Sequence, residues 1–146
     1  MITQDLQKQI AEAMKAKDTV RLATLKLLSS ELHNEWIAKQ HELSEDEEFA
    51  VVRREVKKRK DAADAYEKVG RADRAEVEKQ EMAILQEFLP AEMSDEELNQ
   101  LISDSINQIN ATGMQDLGKV IGLVKSRVGA KADGARIAGM VKQKLS

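Results

Sequence analysis

The chain reads as an all-α protein, with an N-terminal four-helix bundle over residues 1–90 and a small three-helix subdomain over residues 91–146. Three observations predict this. The composition is 34% charged and 3% aromatic, holds one proline, and is rich in Ala, Glu, Lys, Leu and Gln, the residues of helices. Apolar residues recur at helical spacing, and no convincing strand pattern interrupts them. Helix start signals recur along the whole length, and Pro90 falls between two of them.

Each element has its own justification. Thr3 begins a first helix with Leu6, Ile10 and Met14 on one face, and Asp18 begins a second with a stripe of Leu22, Leu25, Leu28, Leu32 and Trp36. Ser44 with Glu47 forms a capping box for a third helix carrying Phe49, Val52, Val56, Ala63 and Tyr66. Asp73 with Glu76 opens a fourth, which is expected to bury Val77, Ile84, Leu85, Phe88 and Leu89 before Pro90 ends it. Four amphipathic helices suggest a bundle. Beyond the proline, Ser94 with Glu97 caps a helix carrying Leu98, Leu101, Ile102, Ile106 and Ile109. Two shorter helices follow, from Asp116 to about Arg127 and from Asp133, as N-cap, to about Leu145.

Composition narrows the function. No apolar run approaches the roughly 18 residues of a membrane span, and the start lacks the apolar centre of a signal peptide. The chain has no cysteine and two histidines, His33 and His41, so no disulfide framework or structural zinc site is expected. A cytoplasmic protein with no metal and no cofactor is the resulting expectation.

Charge is distributed unevenly. Residues 1–90 carry 16 basic and 19 acidic groups, whereas residues 111–146 carry seven basic and two acidic groups, a net of +5 on a protein of formal charge −3. Such a patch fits a polyanionic partner. On a helical wheel of the Asp116 helix, Val120, Ile121, Val124 and Val128 cluster on one side, and Gly118, Lys119, Gly122, Lys125 and Ser126 on the other. The last helix turns Ile137, Val141 and Leu145 inward and is expected to turn Arg136, Gly139 and Lys142 away. A glycine inside a helix costs about 1 kcal/mol relative to alanine, so glycines on a cationic face require a reason. Either they let a nucleic-acid backbone approach closely, or they admit a neighbouring helix of the same protein. Gly129 and Asp133 also suit a helix C-cap and N-cap.

Four charges fall on apolar faces. Arg21 lies in the leucine stripe of its helix, Arg59 lies near Tyr66 and Val52, and Glu78 and Glu81 sit toward the Val77, Leu85 and Phe88 face. Lone buried charges are costly, so these four are expected to form structural ion pairs. The basic run "RREVKKRK" (53–60) spreads over a solvated face, and the acids of 45–48 suit a helix N-terminus.

At this point a resemblance emerges. "EMAILQEFLPAEMSDEEL" (81–98), followed by "DLGKVIG" (116–122) and "GAKADG" (129–134), resembles the GatB/YqeY family, and within it the free-standing YqeY-like proteins. The likeness extends to "RLATLKLLSSELHNE" and "KKRKDAADAY" in the first half. It implies a second half similar to the tail domain of the B subunit of the tRNA-dependent amidotransferase, which amidates Asp-tRNA(Asn) or Glu-tRNA(Gln) with glutamine as nitrogen donor. It also implies the label of a carbon-nitrogen ligase with glutamine as amido-N-donor. Tail residues that match are Gly118, Lys119, Gly122, Lys131, Asp133 and Gly134; Lys125 and Lys142 join them from the wheels. The pattern shows neither a phosphate-binding loop nor an activated nucleophile. The expectation is a non-catalytic tRNA-binding accessory module for translation. An adaptor that docks on an amidotransferase or an aminoacyl-tRNA synthetase, and a protein that assists amide transfer, are the alternatives.

Overall fold

A computed structural model describes residues 1–146. The protein is all-helical, with seven α-helices and no strand: α1 (Ile2–Lys15), α2 (Thr19–Lys39), α3 (Glu45–Lys68), α4 (Ala72–Gln86), α5 (Asp95–Ile109), α6 (Leu117–Val128) and α7 (Gly134–Leu145). Short 3-10 turns at Met114–Asp116 and Gly129–Lys131 flank α6. No helix is long and apolar enough to cross a membrane. The chain divides into two compact units, Met1–Leu89 with α1 to α4 and Pro90–Ser146 with α5 to α7.

Local chemistry sets most helix starts. Asp18 accepts a hydrogen bond from the Arg21 N–H at 3.1 Å, and Asp133 accepts one from the Arg136 N–H at 2.7 Å. Ser44 with Glu47 and Ser94 with Glu97 form complete capping boxes. Such a cap contributes about 1 kcal/mol. Two starts differ from expectation. α1 begins at Ile2 with Met1 in the cap position, and the Thr3 hydroxyl instead donates to Glu48 Oε1 at 2.9 Å. α4 begins at Ala72 behind Arg71, which makes no side-chain cap, so Asp73 lies in the first turn, where its charge suits the helix N-terminus and it pairs with Arg71 at 3.5 Å.

In the first unit Ile2, Leu6, Ala13, Leu25, Leu28, Leu32, Leu43, Val51, Val52 and Leu85 form one core. α3 and α4 pair as a long hairpin, and between Val56 and Ile84 their only buried apolar residues are Ala63 and Ala75. A helix with one neighbour buries a narrow strip, which explains why Val77 is 44% exposed rather than buried. Met14 and Trp36 also depart from the expected stripes and lie exposed; Ala13 takes the inward position near the end of α1.

Burial of two acids departs further from the pattern. Glu48 is 1% exposed and accepts from the Ile2 N–H at 2.6 Å as well as from Thr3, so the acidic run is not wholly solvated. Glu55 is buried on α3 and accepts from Arg59 at 2.6 Å.

In the second unit Leu98, Ile102, Val120, Val124, Val128, Ala132, Ile137 and Val141 form the core. Ile109, at the end of α5, is 36% exposed. The segment before α5 is clamped to the α6–α7 connection: the Met93 N–H donates to Lys131 O at 2.8 Å, and Arg136 Nη2 donates to Met93 O at 2.8 Å. Arg136 also reaches Asp95 Oδ1 at 2.6 Å. It therefore does not face away into solvent, because its guanidinium satisfies a backbone carbonyl beside the core.

Candidate nucleic-acid interface

The outer side of α6 carries Gly118, Gly122 and Lys125 at spacings of four and three residues, with Lys119 beside them, and all four are exposed. A Cβ built on Gly118, Gly122 or Gly139 would meet no atom within 4 Å. No neighbouring helix of the chain occupies the space these glycines leave, so internal packing does not account for them. On α7 the same spacing recurs as Ala135, Gly139 and Lys142, again exposed. Sequence reasoning missed Ala135, although the repeated interval of four and three residues is visible in the chain itself.

The cations of this unit fall into two groups. Arg127 donates to Ser105 Oγ at 3.3 Å and to the Gln108 amide oxygen, and Lys144 donates to Ser103 Oγ at 3.0 Å. With Arg136 tied to Met93 and Asp95, these three cations are engaged within the unit. Lys119, Lys125, Lys131 and Lys142 are exposed and make no ion pair. Lys131 still acts electrostatically on Glu97. Hydrogen bonds from the Ser94 backbone and hydroxyl, with this positive charge, hold the Glu97 carboxyl below its ordinary range.

The connection between the two helices brings further residues together. Gly129 ends α6 at φ +59°, ψ −128°, a conformation that strongly favours glycine. Asp133 spends its carboxylate on capping α7, so the negative charge sits at the end of the helix where backbone N–H groups welcome it. Gly134 lies under Lys125, whose Nζ is 3.1 Å from the position of a Cβ. Lys142 stands two turns farther along α7. The arrangement is a cationic surface with strips free of side chains, which an anionic partner could approach closely.

The four charges expected in ion pairs occupy the first unit. Arg59 joins Glu55 at 2.6 Å and Glu81 at 3.3 Å. Arg21 meets Glu87 at 2.8 Å and Gln9 Oε1 at 3.2 Å. Glu78 makes no ion pair; burial and then the charge of Glu81 raise its pKa, against a smaller opposing effect of Arg59.

Comparison with known proteins follows this geometry. A family model described as "Yqey-like protein" matches residues 3–145. No curated protein matches the chain. With a match that runs from the start of α1 to the end of α7, the chain belongs to the YqeY-like family.

Proposed function

We propose that this protein is a non-catalytic accessory module that binds tRNA in the cytoplasm through the outer faces of α6 and α7. In this reading residues 1–90 are a four-helix bundle and residues 91–146 a three-helix subdomain that carries the RNA face. The observation that carries it is the combination of open glycines with unpaired lysines. A Cβ on Gly118, Gly122 or Gly139 would meet no other part of the chain within 4 Å, and Lys119, Lys125, Lys131 and Lys142 are exposed and make no ion pair. Likeness to the amidotransferase tail supplies the class of RNA, an aminoacylated tRNA held apart from the chemistry.

With 3% aromatic residues, recognition would rest on shape and phosphate contacts rather than on base stacking. Fluorescence anisotropy of labelled tRNA at several salt concentrations, with duplex DNA as competitor, tests it. Binding should resist DNA and weaken steeply with salt. Substituting Lys119, Lys125 and Lys131 together by glutamate should abolish binding while preserving helicity. Single neutral substitutions should each lower the salt slope by about 0.7–0.9 per lost phosphate contact. Unchanged binding by the triple variant would remove this face from consideration.

A further inference from the structure

Helices α6 and α7 carry one residue pattern twice. "DLGKVIGLVKSRV" (116–128) and "DGARIAGMVKQKL" (133–145) align without a gap at an offset of 17 residues. Asp116 with Asp133, Gly122 with Gly139, Val124 with Val141 and Lys125 with Lys142 are identical pairs, and Lys119 with Arg136, Val120 with Ile137, and Arg127 with Lys144 differ conservatively.

The fold gives most of these pairs the same surroundings. Both aspartates stand immediately before their helix. Val120 and Ile137, like Val124 and Val141, lie in the core, whereas both glycines point to open space. The cations near the helix ends dock on one neighbour: Arg127 donates to Ser105 Oγ at 3.3 Å, and Lys144 to Ser103 Oγ at 3.0 Å, both on α5. Two positions earlier in each helix, Lys125 and Lys142 are exposed and make no ion pair. The match fails at Lys119 and Arg136, because only the arginine is tied inward, to the Met93 carbonyl. The free cation that occurs twice is therefore the Lys125 and Lys142 pair.

The two strips meet. Lys125 Nζ lies 3.1 Å from the Cβ position of Gly134, the residue before the second strip begins at Ala135. From Gly134 to Lys142 is eight residues, about 12 Å along a helix. One phosphate group cannot engage cations held that far apart, but a polynucleotide carries a charge on every residue and supplies one at each end of the interval.

Resting on the RNA-binding reading above, we infer that α6 and α7 are two half-sites of one duplicated site. Gly122 with Lys125 takes one backbone phosphate, and Gly139 with Lys142 takes another of the same RNA. Each glycine lets the backbone come close to the helix, and each lysine supplies the charge. Linkage of the two phosphates in one chain makes the second contact intramolecular, so the site selects a polynucleotide over free phosphate.

The test compares Lys125→Gln, Lys142→Gln and the double variant of the full-length protein in anisotropy titrations with labelled tRNA, with far-UV circular dichroism confirming unchanged helicity. Each single variant should lower the salt slope by about 0.7–0.9 and the affinity at 0.1 M salt by about five- to eightfold. The two losses should agree within about twofold and multiply in the double variant, to roughly 25- to 60-fold. One silent lysine, unequal losses beyond that margin, or a double variant no weaker than the singles would overturn the duplicated site while the RNA-binding reading stands. Failure of the unsubstituted protein to bind tRNA would overturn both.

Discussion

Lys125 Nζ lies over Gly134, 3.1 Å from where a β-carbon would stand, and so joins α6 to the first turn of α7 through a contact only a glycine leaves open without adjustment. The far end of a lysine is flexible, and Gly134 lacks the left-handed backbone of Gly129. Gly134→Ala should therefore change stability by less than about 0.5 kcal/mol while displacing Lys125. Gly129→Ala, at φ +59°, should cost about 1–3 kcal/mol although its Cβ would meet no atom. Urea unfolding of the two variants measures the contrast. Equal losses would show that crowding, rather than backbone conformation, governs this connection.

Stability and binding should move in opposite directions at Gly122 and Gly139. Each lies inside a helix with open space around it, so alanine should add about 0.5–1 kcal/mol per site. The same methyl groups stand where a phosphate backbone is proposed to approach, so tRNA affinity should fall in anisotropy titrations. A double variant that is more stable and binds tRNA as well as the parent would separate these glycines from the RNA.

Arg136→Ala should destabilise the second unit by about 1–3 kcal/mol, because the Met93 carbonyl loses its charged donor. Asp95 contributes little to that figure, since its side chain is 79% exposed. Asp95→Ala should accordingly cost less than about 1 kcal/mol. Thermal melts of the two variants compare them, and a larger loss for Asp95→Ala would assign the clamp to the ion pair instead.

Two carboxylates give opposite pH dependence. The Glu97 pKa is lowered from 4.5, mainly by the Ser94 hydrogen bonds, so its ionised form stabilises the folded chain above that value. That contribution is lost as pH falls through the lower folded pKa. The Glu78 pKa is raised from 4.5 by burial and by Glu81, so its ionised form opposes folding above the raised pKa and ceases to do so below 4.5. Glu97→Gln should lower stability at neutral pH by an amount that vanishes in acid. Glu78→Gln should raise stability at neutral pH, and that gain should also vanish in acid. Denaturation curves from neutral pH to below 4 would detect either sign reversed.

The sequence by itself determined where most helices begin and what kind of protein this is. Asp18, Ser44 with Glu47, Ser94 with Glu97, and Asp133 are local devices whose hydrogen bonds close within three residues, so neighbours in the chain suffice to specify them. The exposed side of α6 was legible for the same reason: helical periodicity separates Gly118, Gly122 and Lys125 from Val120 and Val124 without reference to other elements. Tertiary structure alone decided what those faces meet. It left open space over the glycines, turned Arg136 inward to Met93, matched Arg21 with Glu87, and withdrew Glu48 beneath the start of α1. It also left Trp36 and Val77 exposed, because an apolar stripe is buried only as far as a second element reaches to cover it.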